Sequence, residues 1–258
     1  MRATLIVPTL NEGASIGRVL RSFRGAAEAA NRTLFRTEPI EWEVFVVDGS
    51  STDDTVAQAR AEGATVIEER RRGYGRAYRT GFARATGEFI GTLDGDGTYP
   101  GERIPEFLRK LLDEHLDFIS GDRLSTLEGK AMTTEHRIGN RVLNLIARIA
   151  YHRYLRSLPG RTLRDSQSGM WVFRRSILEK LQINEDGMTL SEELKLEVLI
   201  RGYRFLEIPI RYAERWGAPK LSTWKDGQKN LTFLLRKRLA LHRELQLAAS
   251  LPRPERIP

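Results

Sequence analysis

Cysteine is absent from this chain. That removes disulfides, thiolate catalysis and cysteine-ligated zinc. Histidine is sparse, with 4 residues, and no two of them form the H-x-x-x-H pair of a helical zinc hydrolase. No apolar run approaches the ~18 residues needed to span a bilayer. The opening Met1–Pro8 segment carries one charge and a short apolar run, so it reads as a first strand and not as a signal peptide. The expectation is a soluble or peripheral protein of the cytoplasm. The G-x-x-x-x-G-K-[ST] loop of phosphoryl transfer is missing, as is the G-x-S-x-G elbow of hydrolases. Gly73-Tyr74-Gly75 does not directly follow a strand and lacks the third glycine of a dinucleotide fingerprint.

What is present is a foldable, basic chain. Apolar residues make up 40% of 258, enough for a sizeable core. Lys and Arg outnumber Asp and Glu by 42 to 34, a formal charge of +8. Such a surplus suits phosphorylated small molecules, anionic lipid or nucleic acid, although many basic proteins have no special partner.

The first half alternates strands and helices. Strands are expected at Thr4–Val7, Trp42–Val47, Ala64–Glu68 and Glu88–Leu93. Helices are expected at Ala14–Ala30, from near Asp53 with Ser50 to Thr52 as N-cap oxygens, and at Tyr74–Ala85. This rhythm predicts an α/β fold with a mixed, mostly parallel sheet flanked by helices. Beyond Pro105, helices are expected at Phe107–His115, His136–Tyr154 and Ser191–Arg201, and strands at Phe118–Ser120, Gly169–Phe173 and Phe205–Tyr212. A long basic helix covers about Lys225 to Ala249. The division expected is a catalytic domain over 1–223, a basic amphipathic helix over 224–250 and a disordered tail over 251–258.

Ligands of such sheets bind beyond the carboxyl ends of the strands. Those ends read Pro8-Thr9-Leu10-Asn11-Glu12, Asp48-Gly49-Ser50-Ser51 and Asp94-Gly95-Asp96-Gly97. Asp94 and Asp96, two residues apart in a Gly-rich turn, can both face one hard cation such as Mg²⁺ or Mn²⁺. A calcium loop starting at Asp94 fails, because Thr98, Tyr99 and Pro105 stand where Asp or Asn, Gly and Glu are needed. A solvated Asp-Gly turn is the plain alternative. Acidic strand ends also argue against nucleic acid as a partner.

Together these segments resemble glycosyltransferase family 2, which has the GT-A fold, and within it the polyprenyl-phosphate hexosyltransferases. The resemblance covers about Ala3 to Arg238. It rests on Val7–Glu12, Val46–Asp53, Gly73–Gly87, Leu93–Asp96, Asp165–Met170 and Arg215–Ser222. It implies that Pro8, Leu10, Glu12 and Asp48 hold the nucleotide, and that Asp94 and Asp96 bind Mg²⁺ or Mn²⁺ and the diphosphate. It implies that Arg123, Arg137, Arg215 and Lys220 grip donor and acceptor phosphates, and that Glu192 and Glu193 lie near the acceptor, with Glu193 a candidate base. Thr98 replaces the Gln of relatives with a D-x-D-x-Q turn, and Arg141 replaces a frequent Ser. Arg137 and Arg141 lie on a helix, where charges often serve only solvation. The Glu pair would equally suit a helix N-terminus.

The chemistry implied is inverting transfer of a hexose from a nucleotide-sugar, GDP-mannose or UDP-glucose in type, to a polyprenyl phosphate at the cytoplasmic face of a membrane. A phosphate nucleophile is already ionised and needs positioning more than a base. A sugar hydroxyl acceptor, as in polysaccharide synthesis, is the alternative and would need a base. A nucleotide-binding protein without catalysis is the third reading. The segments Arg141–Tyr151 and Asn230–Leu239 pair apolar faces with cations and suit a headgroup region, or packing within the protein.

Overall fold

A computed structural model of the chain describes residues 1–126, 134–156, 163–216 and 223–250; for residues 134, 136, 156, 223–226 and 244–250 it describes the backbone alone. The strands are β1 (Arg2–Thr9), β2 (Glu41–Asp48), β3 (Thr65–Glu68), β4 (Phe89–Thr92), β5 (Phe118–Asp122), β6 (Trp171–Arg174) and β7 (Phe205–Pro209). They form one sheet in the order β3-β2-β1-β4-β6-β5-β7. β1 runs parallel to β2 and β4, β2 to β3, and β5 to β7. β6 alone runs antiparallel, wedged between β4 and β5. The mixed, mostly parallel sheet expected from the sequence is therefore present.

The helices are α1 (Ile16–Thr33), α2 (Thr55–Ala61), α3 (Tyr74–Arg84), α4 (Ile104–Asp113), α5 (Thr134–Ala150), α6 (His152–Arg156), α7 (Leu190–Ile200) and α8 (Thr223–Ser250). They cover both faces of the sheet. On one face Ile16, Leu20 and Phe23 of α1 and Phe107, Leu108 and Leu111 of α4 pack on Leu5, Val7 and Val172. On the other, Tyr78 of α3, Leu194 and Val198 of α7, and Phe233 and Leu234 of α8 pack on Ile6, Ile90, Trp171 and Phe173. Central strands buried on both faces need near-continuous apolar runs, which Leu5-Ile6-Val7 and Val44-Phe45-Val46-Val47 supply.

Two local expectations are corrected. Ser50 to Thr52 do not cap α2; its N-cap is Asp54, which makes no side-chain capping bond. Ser50 takes a left-handed φ of 67°. The chain thereby folds back, and Ser51 is spent at the strand end, donating its backbone N–H (2.9 Å) and its hydroxyl (2.5 Å) to Asp48. Asp53 instead accepts the Thr55 N–H at 3.0 Å. The expected helix from His136 to Tyr154 is also two helices, α5 and α6, broken at Tyr151. Tyr151 is buried there and donates its hydroxyl to the Leu234 carbonyl of α8 at 2.9 Å.

Candidate active site at the strand ends

The parallel strands β1, β2 and β4 deliver their carboxyl ends to one mouth. At β2, Asp48 is buried and accepts from Thr9 Oγ1 (3.1 Å) across the β1–β2 register, besides its bonds from Ser51. After β1, Asn11 has a φ of 53° and ties the two strand ends, accepting the Thr52 N–H on its side chain at 2.8 Å. Pro8 lies within β1, while Leu10 projects as an exposed apolar side chain beside Gly49.

After β4 comes the acidic turn. Asp96 is buried; its Oδ1 accepts from the backbone N–H (3.0 Å) and hydroxyl (2.7 Å) of Thr98. Thr98, in the place of the Gln of D-x-D-x-Q relatives, therefore orients the carboxylate from within the turn. Asp94 is only partly open to solvent and accepts from the Tyr74 hydroxyl at 2.9 Å. Loss of hydration, and then the Asp96 charge, push its carboxyl up to about 7, against the pull of Tyr74, Arg123 and Arg215.

Arg215 joins this turn from a segment remote in sequence. Its Nη1 donates to Asp96 Oδ2 at 2.8 Å and its Nη2 to Glu12 Oε1. The segment is laid along the turn by main-chain bonds, Ala213 N–H to the Thr98 carbonyl (2.9 Å) and Trp216 N–H to the Asp96 carbonyl (3.0 Å). The Trp216 ring lies where a side chain on residue 97 would stand, and Gly97 has a φ of 78°, so only glycine suits that position. Arg18 stacks over that ring, 4.0 Å from its centroid.

Arg123 takes a different role from the one expected. Its Nε and Nη2 form a fork on Asp165, both at 2.8 Å, and its N–H bonds the same carboxylate at 2.9 Å. The Arg123 charge holds the Asp165 carboxyl below its usual range despite burial. Lys195, also fully buried, donates to the Asp165 carbonyl, and Glu207 accepts the Asp165 N–H at 3.2 Å. This buried charge network fixes the loop that ends at Gly169, whose N–H bonds the Tyr99 hydroxyl at 2.8 Å.

Glu193 spends its carboxylate on the loop before α7. Its Oε2 accepts the N–H groups of Asn184 (2.9 Å) and Glu185 (2.8 Å). The loop it anchors braces α3, because Asp186 accepts the Arg76 N–H at 3.0 Å and pairs with Arg79 at 2.7 Å. Glu192, one residue earlier, is fully buried, and neither carboxyl oxygen has a hydrogen-bond partner. Arg137 lies on α5, partly exposed, with its Nε enclosed and unpartnered among the described residues. Lys220 lies outside the described residues.

The structure thus brings Glu12, Asp94, Asp96 and Arg215 together, with Asp48 on the neighbouring strand end. Sequence reasoning gave no role to Tyr74, Asp165, Lys195 or Arg18. Tyr74 lies within Gly73–Gly87 and Asp165 within Asp165–Met170, two segments that carry the family resemblance; the signal for Lys195 and Arg18 is only their place in the fold.

A family model described as Glycosyl transferase family 2 matches residues 4–182. The chain belongs to glycosyl transferase family 2. This family 2 chain is 34% identical over 223 residues to a dolichyl-phosphate hexose transferase of Haloferax volcanii, covering 86% of this chain and 88% of that one. It is 32% identical over 234 residues to a low-salt glycan biosynthesis hexosyltransferase of the same organism, covering 90% of this chain but only 52% of that relative. The chain therefore spans about half the length of that relative. Among solved structures, glucosyl-3-phosphoglycerate synthase from Mycobacterium tuberculosis, in complex with Mn²⁺, UDP and glucosyl-3-phosphoglycerate, superposes with a TM-score of 0.65. That likeness, at 20% identity over 92% of this chain and 79% of the other, confirms the GT-A fold. The protein is a glycosyltransferase.

Proposed function

We propose that this glycosyltransferase moves a hexose, with inversion, from a nucleotide-sugar to a polyprenyl phosphate at a membrane surface, with the help of Mg²⁺ or Mn²⁺. The observation that carries the reading is the meeting of the Asp94–Asp96 turn with Glu12 and Arg215 at the carboxyl ends of the strands. Two carboxylates on one turn are a hard donor set that suits either cation. Among the described residues no third His, Cys, Asp or Glu completes an all-protein site, which fits a cation that also takes diphosphate oxygens and water. Once bound, it would neutralise charge on the departing nucleoside diphosphate.

The chain's own residues do the rest. Leu10, Pro8 and Asp48 offer an apolar contact and an acceptor for the nucleoside. Arg215, joined by Lys220, orients phosphate oxygens. Arg123, forked to Asp165, sets the loop beside the reacting centre. With Glu193 holding backbone amides, no base is needed if the nucleophile is a phosphate anion.

Support for a lipid acceptor comes from the helices. On α5, Ile138, Val142, Leu145 and Ile149 form an exposed row, with Ile149 66% exposed. On α8, Leu231, Leu235 and Leu239 form another, Leu239 being 61% exposed. Exposed Arg141 and Arg148, and Lys229, Arg236 and Arg243, lie on the same helices. Apolar rows with neighbouring cations suit an anionic bilayer surface. No helix among the described residues is long and apolar enough to cross a membrane. Residues 1–223 then form the catalytic domain, and 224–250 its surface helix. The dolichyl-phosphate specificity named for the 34% identical relative agrees with this acceptor.

Radiolabelled GDP-mannose and UDP-glucose, each with a polyprenyl phosphate and Mg²⁺ or Mn²⁺, test the reading. Label should pass into the organic phase, and Asp96→Asn should reduce transfer about 100-fold or more. Label transferred only to water-soluble hydroxyl acceptors would replace the lipid reading with the polysaccharide or glycoconjugate one.

A further inference from the structure

In this structure Asp96 has no carboxylate oxygen left over. Oδ1 is taken by Thr98 and Oδ2 by Arg215. Arg215 also bridges to Glu12, so one guanidinium ties a residue after β1 to a residue after β4 across the mouth. The Arg215 side chain is 23% exposed and its Nε is enclosed without a partner. Its backbone is held too, by the Trp216 and Ala213 bonds to the 96–98 turn and by the Arg18–Trp216 stack. The guanidinium can leave Asp96 by side-chain rotation while the strap stays in place.

We propose that Arg215 is a resident cation that competes with the divalent metal for Asp96, and that a nucleoside diphosphate relieves the competition by taking Arg215 for itself. This rests on the metal-dependent transferase reading above and adds an order to it. A lone metal ion must break a charge-assisted pair and then sit beside the displaced positive charge. A metal arriving with a diphosphate brings oxygens that match the guanidinium fork, so the displaced group gains a new bidentate partner. Metal and nucleotide therefore bind with positive coupling, and by linkage each tightens the other equally. Arg215 is a positioning residue in this scheme: it keeps the carboxylates oriented and neutralised until both ligands are present.

The test is Mn²⁺ titration of the whole chain followed by electron paramagnetic resonance, alone and with saturating GDP or UDP. Wild type should bind Mn²⁺ weakly alone and more tightly with whichever nucleotide it accepts. Arg215→Gln should bind Mn²⁺ alone about tenfold more tightly, the scale of one charge-assisted bond lost at a half-buried site, and its coupling to nucleotide should shrink. Arg215→Lys, which keeps the charge but cannot bridge Glu12 and Asp96 as a fork, should fall between. Thermal melts establish that each variant is folded, and Arg215→Lys decides the matter if Arg215→Gln is not. Mn²⁺ affinity that is unchanged or weaker in the folded variants overturns the proposal and leaves the transferase reading standing. If wild type binds no Mn²⁺ with either nucleotide, both fall.

Discussion

Glu192 and Glu193 are neighbours in sequence and opposite in circumstance. Glu193 spends its carboxylate on two backbone amides, whereas Glu192 is enclosed with neither oxygen partnered. Burial pushes the Glu192 carboxyl up to about 8, with Ser166, Gln167 and Lys195 pulling the other way. A folded-state value above that of the unfolded chain means that the native protein holds the extra proton. Its contribution to stability is complete below pH ~4.5 and is lost as pH rises toward ~8. Glu192→Gln should therefore be more stable than wild type at pH 8, by about 1–3 kcal/mol, with the gap closing toward pH 5. Urea melts at the two pH values check this. Tyr74 offers the complementary case. Its hydroxyl favours the Asp94 anion, so Tyr74→Phe should raise the Asp94 value above about 7. The acid limb of the kcat/KM profile should then move up by about half a unit to one unit. The sequence placed Glu192 and Glu193 together, and what separates them is helical phase, not residue type: one meets the loop amides and the other is enclosed in the protein.

At the level of elements, α3 depends on the loop that Glu193 anchors. Glu193→Ala leaves the Asn184 and Glu185 amides without their carboxylate and loosens the Asp186 bracket on Arg76 and Arg79. A loss of about 1–3 kcal/mol in chemical denaturation is expected, with weaker donor binding, since Tyr74 sits on the first turn of α3. The rows on α5 and α8 make a contrasting prediction. Leu235→Glu with Leu239→Glu, both on exposed positions of α8, should weaken sedimentation with anionic vesicles at low salt and abolish it at high salt, while shifting Tm by only a few degrees. Strand ends were legible because an apolar run that stops at Asp48 or Asp94 marks both the element and the mouth it opens on. The cap of α2 was not, since the left-handed turn at Ser50 redirects Ser51 toward Asp48, and no propensity scale encodes that. The Arg123 fork was equally hidden: a buried Arg and its Asp lie 42 residues apart in sequence.

For the whole molecule, the +8 charge and the apolar rows act over different ranges. Raising salt from ~0.1 M to ~1 M shortens screening from about 10 Å to about 3 Å. Vesicle binding driven by the cations should therefore weaken steeply with salt, whereas residual binding through the leucine rows should persist and vanish only in the doubly substituted α8 variant. Flotation assays across a salt series separate the two contributions. The architecture as a whole was readable from the alternation of strands and helices. The direction of β6 was not, because a four-residue apolar strand carries no mark of which way it runs.

That reversed strand has a consequence for biosynthesis. β4 and β5 do not pair with each other; β6 stands between them, closing the edge of β4 that β1 leaves open and the edge of β5 that β7 leaves open. A nascent chain stalled on the ribosome before Trp171 emerges has β4 complete but one of its edges open to any other extended peptide. Ribosome-bound chains arrested after residue ~165 should thus recruit chaperones or aggregate, and chains long enough to expose Arg174 beyond the exit tunnel should not.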